Sequence, residues 1–385
     1  MVNGPVPAEA LRPTRIGTAS SFGFGDRTGR ATPGHVRALR FAGSTLVPVL
    51  AQQSARELDR TGRTFGDVLD AAIRGAEQEG WTGEFGADAD HLRTPQEVTD
   101  ALSAGFTMLT LDPSAYVDET EGDLEPRVRA LPWNVLEDDW RALKRRHADD
   151  ESVAPAAAKF GRALAHVVEL ARTAGDAPVD IEVSVDETAV PTTPFEHRFL
   201  AIELQRLDVR ITSLAPRFAG SWQKGIDVGG DLAEVRASVA AHAQVAEAHG
   251  DYKLSIHSGS DKFSVYPILA DVAPRLHVKT SGTSYLEGLR VIAAVEPELF
   301  RAILDVARER FSVDRASYEL SDAAGVPEDA DLDDPAARQG LHVTFGAVLS
   351  HPELGPAVLA TLDSNAGLYG DALESHLGRH LTALQ

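Results

Sequence analysis

No cysteine occurs among the 385 residues. That excludes disulfides and thiolate-bound zinc, and it removes redox chemistry as a guide to compartment. Basic residues are scarce beside acidic ones: 37 Lys and Arg against 58 Asp and Glu give a net charge of −21. A nucleic-acid partner is not expected, because phosphate binding needs a basic face. A few local bases can still hold a small anionic substrate. No apolar run approaches the ~18 residues of a membrane span. The opening Met1-Val2-Asn3-Gly4-Pro5 has neither the charged nor the apolar region of a secretory leader. By elimination, the expectation is a cytoplasmic protein with no membrane partner. Also missing are an H-E-x-x-H signature, a G-x-G-x-x-G turn after any strand, an internal repeat of fixed period and a low-complexity linker.

What is present is enough apolar residue, 43%, to build a core. Short β-branched runs at 16–22, 46–51, 82–87, 106–111, 179–185, 209–214, 253–257 and 276–280 alternate with helical stretches. Thr32-Pro33 and Thr94-Pro95-Gln96-Glu97 read as helix starts, with a capping threonine and a proline at the first helical position. Strand then helix, repeated eight times, predicts an α/β chain closed into a (β/α)8 TIM-type barrel, one catalytic domain over 1–385. An open doubly wound sheet is the alternative, and it lacks its glycine fingerprint. Residues 118–178 read as a helical insertion between the fourth and fifth strands. Residues 319–334 carry seven acids and no base, as expected of an acidic loop. Leu341, Phe345, Val348 and Leu349 fit helical spacing, so 341–345 is placed on a C-terminal helix and not on a ninth strand.

In such a barrel the chemistry sits at the carboxyl ends of the strands. Gly86-Ala87-Asp88-Ala89-Asp90-His91 sets two carboxylates and an imidazole after an apolar run, and His257-Ser258-Gly259-Ser260-Asp261-Lys262 does the same after another. Glu182, Ser184 and Asp186 share one face of the fifth strand, and His277 and Lys279 one face of the eighth. Histidines from separate strands beside carboxylates suit a divalent cation such as Zn, Mn, Ni or Co in an open catalytic site. Asp90 and Glu182 could then act as base and acid on opposite faces of a substrate. Arg27, Lys262 and Lys279 are available to hold a substrate carboxylate. Plainer readings stand beside these. Asp26 with Arg27 reads equally as a structural ion pair, and Gln52 and Gln53 as caps of the next helix. Asp112-Pro113-Ser114 reads first as a turn opener. His277 reads also as a satisfied interior histidine.

Seven runs carry a more specific signal. Gly25-Asp26-Arg27, Ala51-Gln52-Gln53-Ser54, the Gly86–His91 run, Glu182-Val183-Ser184-Val185-Asp186-Glu187, Trp222-Gln223-Lys224-Gly225-Ile226-Asp227, the stretch from His257 through Pro267, and His277-Val278-Lys279-Thr280-Ser281-Gly282-Thr283-Ser284-Tyr285 resemble the tagaturonate epimerase family. The resemblance runs from about residue 14 to the C-terminus. It differs in a first strand reached within about 15 residues and a shorter insertion. The resemblance implies a metal-dependent isomerase that interconverts D-tagaturonate and D-fructuronate by inverting C4. It implies Asp90 as proton acceptor, Glu182 as proton donor, and His91 and His257 as metal ligands, with His277 as the third. Asp26, Arg27, Gln53, Asp186, Lys262 and Lys279 are assigned to the small anionic sugar, and a homo-oligomer is allowed.

C4 lies β to the C2 ketone, so enolisation does not acidify its hydrogen. The expected route is retro-aldol cleavage of C3–C4 with an enediolate stabilised by the cation, then recombination on the other aldehyde face. A metal-dependent sugar-acid aldolase or ketose isomerase on the same scaffold, and a non-catalytic sugar-acid binding protein, are the alternatives. The binding protein has no need of an acid and a base paired across a metal.

Overall fold

The computed structural model describes residues 10–148, 150–318, 320, 324–328 and 330–385. Eight parallel strands close into a barrel: β1 (Ser21–Gly25), β2 (Val47–Ser54), β3 (Gly86–Leu92), β4 (Met108–Leu111), β5 (Asp180–Val185), β6 (Ser213–Pro216), β7 (Lys253–Ile256) and β8 (Leu276–Thr280). Each strand pairs with the next, and β1 pairs with β8. Helices fill the connections, so the chain is a TIM-type α/β barrel. Closure requires β1 and β8 to approach closely: a Cβ on Gly25 would stand 2.6 Å from the Thr280 carbonyl oxygen, so only glycine fits there.

Strand positions depart from the apolar runs in an informative way. β1, β3 and β6 begin at residues 21, 86 and 213, where the runs begin at 16, 82 and 209. Asp88, Asp90 and His91 consequently lie on β3 itself, not after it. Apolar patterning failed here because the barrel interior is charged. Asp88, Asp180, Glu182, Lys253, His277 and Lys279 are each at most 1% exposed, where a barrel of this type ordinarily stacks branched aliphatics. Their outward neighbours, among them Ala87, Ala89, Val183, Leu254 and Val278, supply the apolar face under the helices.

Helix starts follow local chemistry. Thr94 and Thr193 close capping boxes with Glu97 and Glu196 on helices Pro95–Ala104 and Pro194–Arg206. Thr32 instead lies inside helix Thr32–Ala42, one residue past its N-cap Ala31. The Ala31 amide is taken by Asp26, whose carboxylate also accepts from the Thr28 and Gly29 amides at 2.8–2.9 Å. Asp26 therefore shapes the turn from β1 into its helix. Below the barrel, Asp180 accepts the amides of Ile16 and Gly17 at 2.8 Å each, drawing the segment before β1 across the floor.

After β4 come the short helices Leu124–Arg129, Trp133–Leu136 and Trp140–Arg146, then the long Val153–Ala174. The C-terminal part is helical, with Leu341–Val343 ending helix Pro335–Val343 and Phe345 opening Phe345–Leu349. Helix Ala366–Ala383 lies so close to helix Thr32–Ala42 that a Cβ on Gly34 would stand 2.6 Å from Leu373. Of the acidic segment 319–334, residues 319, 321–323 and 329 fall outside the described residues. Among the described residues no helix is long and apolar enough to cross a membrane.

Several buried histidines lock helices to the barrel, and their bonding fixes their protonation. The His242 Nε2–H donates to the Thr192 carbonyl at 3.0 Å, so its Nδ1 must accept from His197 Nδ1–H at 2.9 Å. His197 Nε2 then accepts the Tyr252 hydroxyl at 2.7 Å. That directional chain needs both rings neutral. Burial pushes His35 and His242 down to about 4 and His380 to about 3, and holds His197 well below its ordinary value. Unfolding releases these rings to an ordinary value near 6.5. The unfolded chain therefore binds protons first, and the stability these rings contribute is present above pH ~6.5 and lost as pH falls toward 4. Denaturant titrations between pH 7.5 and 5.5 are expected to show falling stability, with each such histidine adding up to about 1.4 kcal/mol per pH unit. His242→Gln should flatten the slope by about one proton. A flat profile over that range contradicts the assignment.

Candidate active site

The upper end of the barrel gathers the groups that the strand ends promised. Lys279 on β8 is the hub. Its Nζ lies 2.7 Å from Asp88 Oδ2, 2.8 Å from Asp90 Oδ1 and 2.8 Å from Glu182 Oε1, and it donates to Thr110 Oγ1 at 2.7 Å. Burial alone would strip this ammonium of its proton, but the three carboxylates hold its pKa well above the ordinary lysine value. In return, Asp90 and Glu182 stay well below the usual carboxylate range although burial opposes it, with Lys279 the main reason. Asp88 goes the other way. Burial outweighs Lys279 and pushes it up to about 6, with Asp90 and Glu182 adding to the rise.

Above this hub two imidazoles face each other. His91 Nδ1 bonds Asp112 Oδ2 at 3.1 Å, and His257 Nε2 bonds Glu182 Oε1 at 2.6 Å. Each carboxylate takes the proton-bearing nitrogen of its ring, so the remaining nitrogens, His91 Nε2 and His257 Nδ1, turn their lone pairs toward one another at 3.0 Å. Asp186 Oδ1 stands 3.3 Å from that His257 nitrogen and Asp90 Oδ1 3.9 Å from that His91 nitrogen. Lone pairs and carboxylate oxygens converging on one point demand a positive charge between them, either a proton or a metal ion. Burial lowers both rings' affinity for a proton, yet Asp186 and Glu182 lift His257 to about 10, and Asp90 and Asp112 raise His91. Imidazoles anchored through their far nitrogens by carboxylates are the usual support of a metal centre. Ligand atoms of Asp90, His91 and His257 lie within 4.8 Å of one another, so these three fit a divalent cation.

The backbone bends to make this possible. His91 has φ 53°, in the left-handed region, and the β3–β4 register shifts between Ala89 and Leu92. A bulge at the active end of a strand re-aims the side chain it carries.

The other expected residues are distributed differently. His277 is outside the convergent group. It sits two residues before Lys279 on β8, hence one layer deeper, where its Nδ1 bonds Ser21 Oγ at 2.8 Å. Asp90, and not His277, completes the set of three ligand atoms that lie within 4.8 Å of one another. Arg27 is committed elsewhere: it bonds Glu57 at 2.6 Å and the His342 carbonyl at 2.9 Å, and its guanidinium lies 3.7 Å above the Phe345 ring. Gln53 donates to Glu57 at 2.6 Å and belongs to that same cluster. Lys262 donates to the carbonyls of Gln223, Ile226 and Ser260, which uses all three of its protons. Asp26 is spent on its turn. Asp186 and Lys279 are at the centre. Asp112 opens the turn as expected, with Oδ1 accepting the Ser114 amide at 2.9 Å, and its Oδ2 also anchors His91. Its sequence signal was position, a carboxylate ending the strand next to the one that bears His91.

A cavity of about 480 Å³ opens onto His257 and Asp186, walled by Arg56, Arg217, Trp222 and Lys224, a size suited to a small ligand. A second cluster, Asp261, His376 and His380, also meets the distance test for a metal. Its groups are already bonded, however: His376 Nε2 to Asp261 at 2.7 Å, His380 Nε2 to the Asp261 amide at 2.9 Å, and Arg338 to Asp261 at 2.9 Å. It clasps helix Ala366–Ala383 to the loop after β7.

Comparison with known proteins identifies the family. Residues 8–384 match the family model described as tagaturonate epimerase. A tagaturonate/fructuronate epimerase from Thermotoga maritima is 43% identical over 97% of this chain and 82% of its own. Crystal structures of the fructuronate-tagaturonate epimerase UxaE from Cohnella laeviribosi superpose with TM-scores of 0.88 for a glycerol complex and 0.87 for the native form. Their identities are 37% and 36%, each covering 97% of this chain and 83% of the other. The chain belongs to the tagaturonate epimerase family and is an isomerase.

Proposed function

We propose that this protein interconverts D-tagaturonate and D-fructuronate by inverting C4, through cleavage and re-formation of the C3–C4 bond. The observation that carries the reading is the convergence of His91, His257 and Asp90 on one point above the Lys279 hub, in a member of this family. Asp90, His91 and His257 would hold a divalent cation, which would supply Lewis-acid stabilisation of developing negative charge on oxygen.

The chain's own groups divide the remaining work. Asp90, kept ionised by Lys279, takes the proton of the C4 hydroxyl. The electron pair left on the C4 oxygen closes the new C4 carbonyl, and the C3–C4 bonding pair departs with C3, giving a three-carbon enediolate and an aldehyde that carries the carboxylate. Lys279 touches Asp90 Oδ1 and Glu182 Oε1 at 2.8 Å each, so the captured proton is shared with Glu182 and returned to the C4 oxygen after recombination on the opposite face. Glu182, fully buried with Ser213 on its other oxygen at 2.5 Å, also fixes the His257 ring. Walls around the cavity keep the aldehyde fragment from escaping before it turns.

The test is an NMR assay in D2O with D-tagaturonate and D-fructuronate, using protein stripped by a chelator and re-supplied with Zn, Mn, Ni or Co in turn. Activity is expected to vanish on stripping and return with at least one ion, and the product should carry no deuterium at C4, because the C4–H bond is never broken. Deuterium at C4 overturns the cleavage route. Full activity in the stripped protein overturns the metal assignment.

A further inference from the structure

We propose that the Lys224 ammonium reads the carboxylate of the sugar acid and sets the preference for a uronate over a neutral ketose. This rests on the function proposed above and names the residue that recognises its substrate class.

The centre is rich in negative charge, with Asp90, Asp112, Glu182 and Asp186 within a few ångströms of the imidazoles. An anionic substrate entering such a site needs a cation not already spent. The bases expected from sequence do not qualify. Lys279 serves three carboxylates, Lys262 three carbonyls, and Arg27 serves Glu57. Among the bases that wall the cavity, Arg56 lies 3.3 Å from Glu187, and Arg217 donates to the Thr188 carbonyl.

Lys224 differs. Its Nζ has one long contact, 3.5 Å to the His257 carbonyl, and no carboxylate within ion-pair distance among the described residues. Position favours it as well. In the substrate the carboxylate carbon is two bonds from C4, so the group that reads it must sit beside the residues that act on C4. Lys224 rests against the backbone of His257, whose ring belongs to that set.

The loop around Lys224 is built to hold it still. Ser221 and Gly229 exchange backbone hydrogen bonds at 2.8 and 3.1 Å, closing the loop at its base. Lys262 grips the carbonyls of Gln223 and Ile226, one residue before Lys224 and two after. Gly225, at φ 71°, supplies the left-handed turn between them. An otherwise puzzling buried lysine thus anchors the loop that carries an unpaired one. Ordering the ammonium in advance lowers the entropy lost when the anion binds.

The experiment compares wild type, Lys224→Gln and Lys224→Arg, each loaded with the same metal. Calorimetry gives Kd for D-tagaturonate and for D-tagatose, the same ketose with an alcohol in place of the carboxylate, and kinetics give KM and kcat for the uronate. Loss of a charge-assisted hydrogen bond should raise Kd and KM for the uronate by about 10- to 100-fold in Lys224→Gln, with kcat changed by less than about threefold. D-Tagatose affinity should move far less, and Lys224→Arg should recover most of the uronate affinity. An unchanged uronate Kd in Lys224→Gln overturns the inference. So does an equal weakening toward both sugars, which would show a merely structural role. Wild type that binds the uronate without epimerising it overturns the proposed reaction alone, since the binding comparison still decides for Lys224. Wild type that binds no uronate overturns both.

Discussion

Replacing Lys279 by methionine is expected to destabilise the protein by about 3–5 kcal/mol and to abolish turnover. The substitution keeps the volume and removes the charge, which is the point of the test. Asp88, Asp90 and Glu182 all lie within 2.8 Å of the Lys279 ammonium and are almost wholly buried. Without it, three carboxylates share a dry space with one another, and each lost partner leaves an uncompensated charge in low dielectric. The interior can respond only by taking up protons. Asp88, already near 6 because burial outweighs its lysine, should protonate first. Two consequences follow for measurement. The urea midpoint should fall sharply at pH 8 and less at pH 5, where protons stand in for the lost ammonium. Adding Asp88→Asn to Lys279→Met should recover part of the loss, because it removes one of the stranded charges. A Lys279→Met protein within about 1 kcal/mol of wild type at pH 8 would show that the interior charges are solvated in some other way.

Asp90→Asn is expected to lower kcat by about 10³-fold while leaving the fold intact. An amide oxygen still accepts from Lys279, so the hub loses one unit of charge and keeps its geometry. What the amide cannot do is accept a proton from the C4 hydroxyl. Asp90 is also one of the three residues whose spacing fits a cation, so the assay must be run at saturating metal. Weaker metal binding then raises the ion concentration required, while loss of the base lowers the plateau. A kcat within tenfold of wild type at the plateau removes Asp90 as the base and leaves it only as a ligand.

Much of the site was legible because of where the barrel puts strand ends. Asp90, His91, Glu182 and His257 could be picked out as polar residues interrupting or ending apolar runs, and the closed barrel itself makes those ends converge. The misplacements share one physical cause. Arg27, Lys262 and Gln53 are the right types near the right ends, but a sequence does not show which partner each side chain finds. Glu57 on the helix after β2, His342 on a C-terminal helix and the carbonyls of Gln223 and Ile226 are distant or backbone partners with no pattern to betray them. Lys224, quoted in one of the resembling runs, received no role for the complementary reason, since the absence of a partner is also a three-dimensional fact.

Amino-acid order alone determined the alternation of strands and helices, because that depends on spacing of apolar residues and on local caps such as Thr94 with Glu97. It also determined which strand ends carry ionisable groups. Only the folded barrel decided that β3 continues through Asp88, Asp90 and His91, since those residues are tolerable in a strand only when Lys279, on the last strand, neutralises what the third one buries. It likewise decided that the free nitrogens of His91 and His257 share one point, because each ring's aim is set by a carboxylate from another strand. Charge pairing across a closed sheet is a long-range condition, and no local stretch of chain contains it.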